Sequence, residues 1–350
     1  MDFSGCVAAR KNAMPRGTKR ASLLIAGLRG LLGVATPLAL VTTSSPALGY
    51  GDRAAIDIQH FQPAPGDARL VTLDLARVGS ASHLGWVPQA TLHYADRQLV
   101  LLCRGNCSPD VYVPWVAHRV TLDLSFTLSL FDRLQLALSL PVALYQHTDS
   151  AIIDAGSDAA STGGLVAVRP NPAGLGNLKL HGKVGFLPRS SRYGLGLAVA
   201  LGLPTGDGNS FLGTRLPDLV ARLLGHVELG RFTLAAHFGA HFSEAVTVSS
   251  LQDGTALLYG LGGQVRLLGA DADTTPFFLI AELTGRAFTR FAPAADFPTE
   301  FLIAARSEPG PYSITIGAGS ALYPGVGVPN VRAFVSFAYR GGRRSPSPSH

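Results

Sequence analysis

The chain has 350 residues, 47% of them hydrophobic and only 15% charged, with 40 glycines, two methionines and a net charge of +6. A soluble domain carries roughly 25% charged residues, and a disordered chain is poor in apolar ones, so neither class fits. Much of the basic excess lies at the ends, in Arg10, Lys11, Arg16, Lys19, Arg20 and Arg29 and in Arg340, Arg343 and Arg344. The middle offers no basic face interleaved with aromatics, which excludes a nucleic-acid partner.

Residues 1–49 read as a cleavable export signal. Arg16, Lys19 and Arg20 precede an apolar stretch from Leu31 to Val41, and Ala47-Leu48-Gly49 supplies the small residues of a cleavage site. Met14 is an alternative start to Met1, giving the basic region normal length. The apolar run is shorter than the roughly 20 residues a spanning helix needs. Cys6 leaves with the signal, and Cys103 and Cys107 in LLCRGNCSPD then read as a disulfide closing a small loop. No further cysteine or clustered histidine completes a metal site, so neither a metal nor a cofactor is expected.

Residues 50–66 form an N-terminal segment with two readings: AAIDIQHF at 54–61 is a first strand, or the segment plugs a lumen. The barrel proper is expected over 67–340, starting with a strand at about 69–78. From Val120, VTLDLSFTLSL alternates apolar and polar residues with a period of two, and RLQLALSLPVALY repeats the pattern after a short link at Phe131-Asp132. YGLGLAVALGL sets Leu, Val and Tyr against Gly and Ala. LPDLVARLLGHVEL places Asp218, Arg222, His226 and Glu228 on one face. ALLYGLGGQVRLL and FFLIAELTGRAF do the same for Arg266, Glu282 and Arg286.

In RFTLAAHFGAHF, His237 and His241 are four apart. On a helix they would stack as metal ligands. As a strand, the stretch segregates Phe232, Leu234, Phe238 and Phe242 from Thr233, His237 and His241. Four strand residues separate the imidazoles by about 13 Å, too far for one metal ion.

These strands are long, and the face opposite the apolar one is mostly small or polar rather than charged. That pattern predicts an all-β fold, an antiparallel transmembrane β-barrel of about 12–14 strands with lipid outside and a polar lumen. Links alternate between short and long, as expected for periplasmic turns and external loops. Residues 341–350, a Ser/Pro/Arg tail, are expected to be disordered.

The segments IDIQHFQPAPGDARLVTLDLARV, HLGWVPQATLHYADRQLVL, SLFDRLQLALSLPVALYQ, GLGNLKLHGKVGF and LGLAVALGLPTGDGNSFLG, in that order, resemble the barrel region of myxobacterial-type OmpA-family outer-membrane proteins. GLGNLKL and LPTGD also resemble barrels of the phenol-degradation, MetA-pathway transporter type. The resemblance spans about 54–340. It implies an outer-membrane location, with outer-membrane lipid and the barrel assembly machinery as partners. Because RGGRRSPSPSH follows the last strand directly, peptidoglycan anchoring is not expected.

Catalytic signatures are absent. GAGSA at 317–321 lacks the final glycine of a nucleophile elbow and lies in a β region. GLGNLK at 174 lacks the third glycine of a dinucleotide loop. Two functional readings remain, neither enzymatic. One is a passive channel for small solutes, its lumen lined by Asp123, Lys179, Lys183, Arg222, His226, His237, His241, Arg266, Glu282 and Arg286. The other is a structural or adhesive barrel with a filled lumen and working external loops.

Overall fold

The structure is a computed structural model. It describes residues 57–342, apart from 67–68, 79–83, 104–110, 132, 148–152, 155–164, 167–170, 189, 249–250, 270–273 and 289–296. The expected signal, Cys107 and most of the C-terminal tail lie outside the described residues, so the disulfide does too.

Twelve long antiparallel strands form one closed ring. They are β1 (Gly85–Cys103), β2 (Val111–Leu130), β3 (Leu134–His147), β4 (Leu178–Gly185), β5 (Tyr193–Leu203), β6 (Asp218–Leu229), β7 (Phe232–Phe242), β8 (Ala256–Leu268), β9 (Phe277–Phe288), β10 (Thr299–Ser307), β11 (Tyr312–Tyr323) and β12 (Val331–Tyr339). Each pairs with its sequence neighbour, and β1 pairs with β12 through Gln89↔Ala338 to Asp96↔Val331, which closes the barrel and removes both edges. The lower end of the expected range, 12 strands, is the observed number. Cys103, the first of the expected pair, is the last residue of β1.

The period of two decides which side each residue takes. On β7, Phe232, Leu234, Phe238 and Phe242 face outward, all exposed, while Thr233, Ala235 and His241 face inward and are buried. On β6, Leu219, Leu223 and Leu229 are outside, and Asp218, Val220, Leu224 and His226 are inside. An uninterrupted outer surface of leucine, valine and phenylalanine would be ruinous in water. Against acyl chains it costs nothing, and the ring satisfies the strand hydrogen bonds internally. On that outer surface Tyr259 lies over Gly285, where an added Cβ would meet its ring at 2.4 Å, and its hydroxyl reaches Thr299 Oγ1 at 2.6 Å.

Connections alternate in length. At one end they are short: Gly230 takes φ +60° in the two-residue turn joining β6 to β7, and Gly310 takes φ +63° between β10 and β11. At the other end they are long, including the stretch from β5 to β6 that carries a 3-10 turn at Gly208–Ser210. The short-turn end corresponds to the periplasmic side of outer-membrane barrels.

The main correction concerns residues 57–78. Neither residues 57–61, the described part of AAIDIQHF, nor the alternating stretch 69–78 is a barrel strand, and the first described barrel strand begins at Gly85 rather than near residue 67. Asp57 makes only an isolated bridge to Leu212. Residues 57–78 are held by residues on strands all round the ring, including β1, β2, β4, β9, β10 and β12. A segment bonded to opposite sides of a closed ring lies inside it. The alternation misled because Leu73 and Leu75 are indeed buried, but against the lumen wall instead of lipid.

The lumen therefore contains an apolar core. Phe61, Leu70, Val71, Leu73 and Leu75 pack with inward-facing Ala235, Ile280, Leu302, Ala304 and Phe334. Burying one such leucine or phenylalanine contributes about 1.5–3 kcal/mol.

Candidate functional site

The segment enters at the long-loop end and leaves at the short-turn end. The Ile58 amide donates to Phe211 O at 3.2 Å, and Gln98 on β1 donates its side-chain amide to Ile58 O at 3.0 Å. Midway, Phe61 packs on His93 and Phe334, with the Arg332 guanidinium 4.4 Å from its ring centroid. The Ala64 amide donates to Val71 O at 2.8 Å, bringing these two residues together. Near the short turns, Arg69 and Arg77 both lie 3.1 Å from Glu228 Oε1.

Glycines on the inner wall make room for it. A Cβ on Gly260 or Gly262 would approach the Leu73 methyls at 2.6 Å, and one on Gly196 would meet Ala76 Cβ at 3.2 Å. Gly196, Gly260 and Gly262 thus admit the segment, whereas Gly194 and Gly202 make room for the wall side chains His226 and Asp218.

Charge ties the segment to the wall. Lys183 Nζ lies 2.7 Å from Asp74 Oδ1 and also donates to Leu75 O at 3.2 Å. Lys179 lies 3.6 Å from Asp57. Glu282 accepts from the amides of Val71, Thr72 and Leu73 and from the Thr72 hydroxyl. Arg306 donates to Leu70 O at 3.0 Å, and Gln59 donates to Asp123 at 2.9 Å. Backbone amides and carbonyls that would otherwise be stranded in a dry interior find partners on the wall in this way.

Of the ten residues expected to line the lumen, Asp123, Lys179, Lys183 and Glu282 contact the segment directly. His241 pairs with Asp218 at 3.1 Å, and Arg286 lies 3.5 Å from its other ring nitrogen. Arg222, His226 and His237 sit on the same inward face positions as their buried strand neighbours, His226 under the space left by Gly194. Arg266 is half-exposed near the short-turn end of β8, beside a register shift between Arg266 and Leu268.

Sequence reading missed several wall residues. Arg332 is fully buried, ion-paired with Glu300 and next to His93; Arg119 is fully buried against Gln146 and Ser210 O. The available signal was an arginine at an inward position of VRAFVSFAY and of AHRVTL, since an ionisable group at membrane depth faces the interior. A second signal was the aliphatic inward residues Leu224, Leu258, Ile280 and Leu302, which a purely aqueous lumen would not favour.

Two recesses flank the segment. One, at the long-loop end, is lined by Asp57, Lys179, Arg215, Asp218, His241 and Arg286. The other lies between Gln62, Pro63, Ala64, Pro65, Thr72 and Asp74 and the wall of β3 to β7, with Gln135, His181, Lys183, Arg222 and His237 on its sides.

The closed ring, outer apolar surface and polar inner wall define an outer-membrane β-barrel of 12 strands. One solved structure with a TM-score above 0.5 shows the same fold. The COG4313 outer membrane channel from Pseudomonas putida F1 matches with a TM-score of 0.52 at 17% identity, over 75% of this chain and 97% of that one. LpxR from Salmonella typhimurium matches at 0.38 and 10% identity, over 72% and 99%. The CymD monoaromatic hydrocarbon channel matches at 0.37 and 11%, over 75% and 90%. No family model matches the chain, and no curated protein does.

Proposed function

We propose that this barrel is a channel for small solutes across the outer membrane, held closed by residues 57–78. The observation that carries the reading is how the segment is held. It joins no barrel strand and is fixed by ion pairs and hydrogen bonds, such as Lys183 to Asp74 and Glu282 to Thr72, that a displacement can break and reform. The inward glycines Gly196, Gly260 and Gly262, now against Ala76 and Leu73, leave space for a solute once the segment moves.

The fold likeness to an outer membrane channel supports this reading, as does the resemblance of GLGNLKL and LPTGD to MetA-pathway transporter-type barrels. The resemblance to the OmpA family fits the same architecture. Export by the N-terminal signal, insertion by the barrel assembly machinery and contact with outer-membrane lipid belong to the proposal. No catalytic step does.

A second reading has one specific observation behind it. The apolar cluster of Phe61, Leu70, Leu73 and Leu75 against Ile280, Leu302 and Phe334 is that of a filled scaffold. Conductance in planar bilayers separates the two. The full chain is expected to conduct weakly and a variant lacking residues 57–78 strongly. If both insert, shift on boiling in gels and stay silent, the scaffold reading replaces the channel.

A further inference from the structure

The second recess contains a guanidinium with no ion pair among the described residues. Arg222 projects from the inward face of β6 between Ala198 on β5 and Gly239 on β7. Its stem occupies the space a Gly239 side chain would take: a Cβ there would meet Arg222 Cγ at 3.0 Å. The Ala221 carbonyl oxygen would come closer still, so this glycine answers to the backbone as well as to the arginine. Yet the Arg222 Nε is buried with no hydrogen-bond partner, and among the described residues no carboxylate pairs with it.

Other buried arginines of the wall have polar partners, although Arg119 Nη1 is also buried without one. Arg332 has Glu300, Arg119 has Gln146 and Ser210 O, and Arg306 has Thr315 and Leu70 O. The anion whose charge acts on Arg222, Asp74, is already taken by Lys183 at 2.7 Å, and the like charge of Arg286 acts on it too. Two cations thus share one carboxylate. An unpaired buried charge is costly, and the natural remedy is a bound counter-charge.

The other groups around the recess suit an anion. His181 and His237 line it, as does Gln135. His181 Nε2 is engaged with Ser139 Oγ at 2.7 Å. His237 Nδ1 is buried without a partner. Guanidinium forks and imidazole N–H groups match the planar or tetrahedral oxygens of an oxyanion.

We propose that this recess binds a small oxyanion, the carboxylate or phosphate group of a solute, on Arg222 with His181 and His237 beside it. The proposal deepens the channel reading by naming the solute class, and rests on that reading for its transport role only.

The test is calorimetric titration of the full chain in detergent with sodium acetate and, separately, inorganic phosphate, at constant ionic strength. One anion per chain is expected. Whichever probe binds more tightly identifies the chemistry. Arg222→Gln should weaken binding at least tenfold, Arg222→Lys less, and His237→Gln by an intermediate factor. If Arg222→Gln does not fold, as judged by loss of the gel shift on boiling, Arg222→Lys and His237→Gln decide. The site is overturned if neither anion binds the folded barrel, or if the folded variants bind as the parent does. Binding without conductance in any variant would remove the channel and keep the site. Conductance without binding would remove the site and keep the channel.

Discussion

The Thr72 amide donates to Glu282 Oε2 at 2.8 Å, and the Thr72 hydroxyl reaches the same oxygen at 2.5 Å, so one carboxylate on β9 holds the lumen segment at its midpoint. The neighbouring amides of Val71 and Leu73 point to the same carboxylate. A single wall residue therefore substitutes for the strand partner that residues 71–73 lack.

Glu282→Ala should release the segment while leaving the barrel closed. Each buried donor left without an acceptor costs about 1–3 kcal/mol. Tryptic cleavage at Arg77, now paired with Glu228, is expected to accelerate at least tenfold. The gel shift on boiling should persist. Unchanged cleavage would show that Glu282 is not a principal tether.

Gly260→Val tests packing in place of charge. The added carbons would collide with a Leu73 methyl and the His237 ring, both side chains and not backbone, so the segment yields before the sheet does. The same cleavage assay should show release, and a compensating Leu73→Ala should restore docking in part.

Acid is expected to favour the released segment through His60. Both its ring nitrogens are buried without a partner, beneath Gly327. Burial pushes its pKa well below the ordinary value, and the charges of Arg286, His241, Lys179 and Arg332 push the same way. The released imidazole titrates near ~6.5 and the docked one far lower, so the released form binds more protons in between. Docking is thus fully stable above about pH 6.5 and weakens by up to about tenfold per unit as pH falls below it. Channel opening in planar bilayers should rise between pH 7.5 and 5, and His60→Phe should flatten that response. An identical pH profile in the variant would exclude His60 as its origin.

The outer surface predicts its own penalty. Phe238 lies mid-strand on β7 with 60% of its surface exposed on the outward face. Phe238→Arg should destabilise the refolded barrel by about 2–4 kcal/mol, measured by denaturant unfolding in lipid vesicles. A change within error would place this face away from lipid.

The period of two, read along VTLDLSFTLSL or RFTLAAHFGAHF, determined by itself that the chain is antiparallel sheet and which residues share a face. Backbone geometry forces successive side chains to opposite sides whatever else the chain does. It also separated His237 from His241 and so ruled out a shared metal between them. Alternation cannot say what covers each face, because lipid and a packed segment accept leucine equally well. LVTLDLARV consequently resembles a strand although it runs inside the ring, where Leu73 meets Gly260 and Gly262. Only the closure of β1 onto β12 fixed the count at 12 strands and created an interior for residues 57–78 to occupy. Contacts such as Lys183 to Asp74, or the isolation of Arg222 from any carboxylate, join positions far apart in the chain. They depend on the register of the whole ring, a property no local stretch of sequence contains.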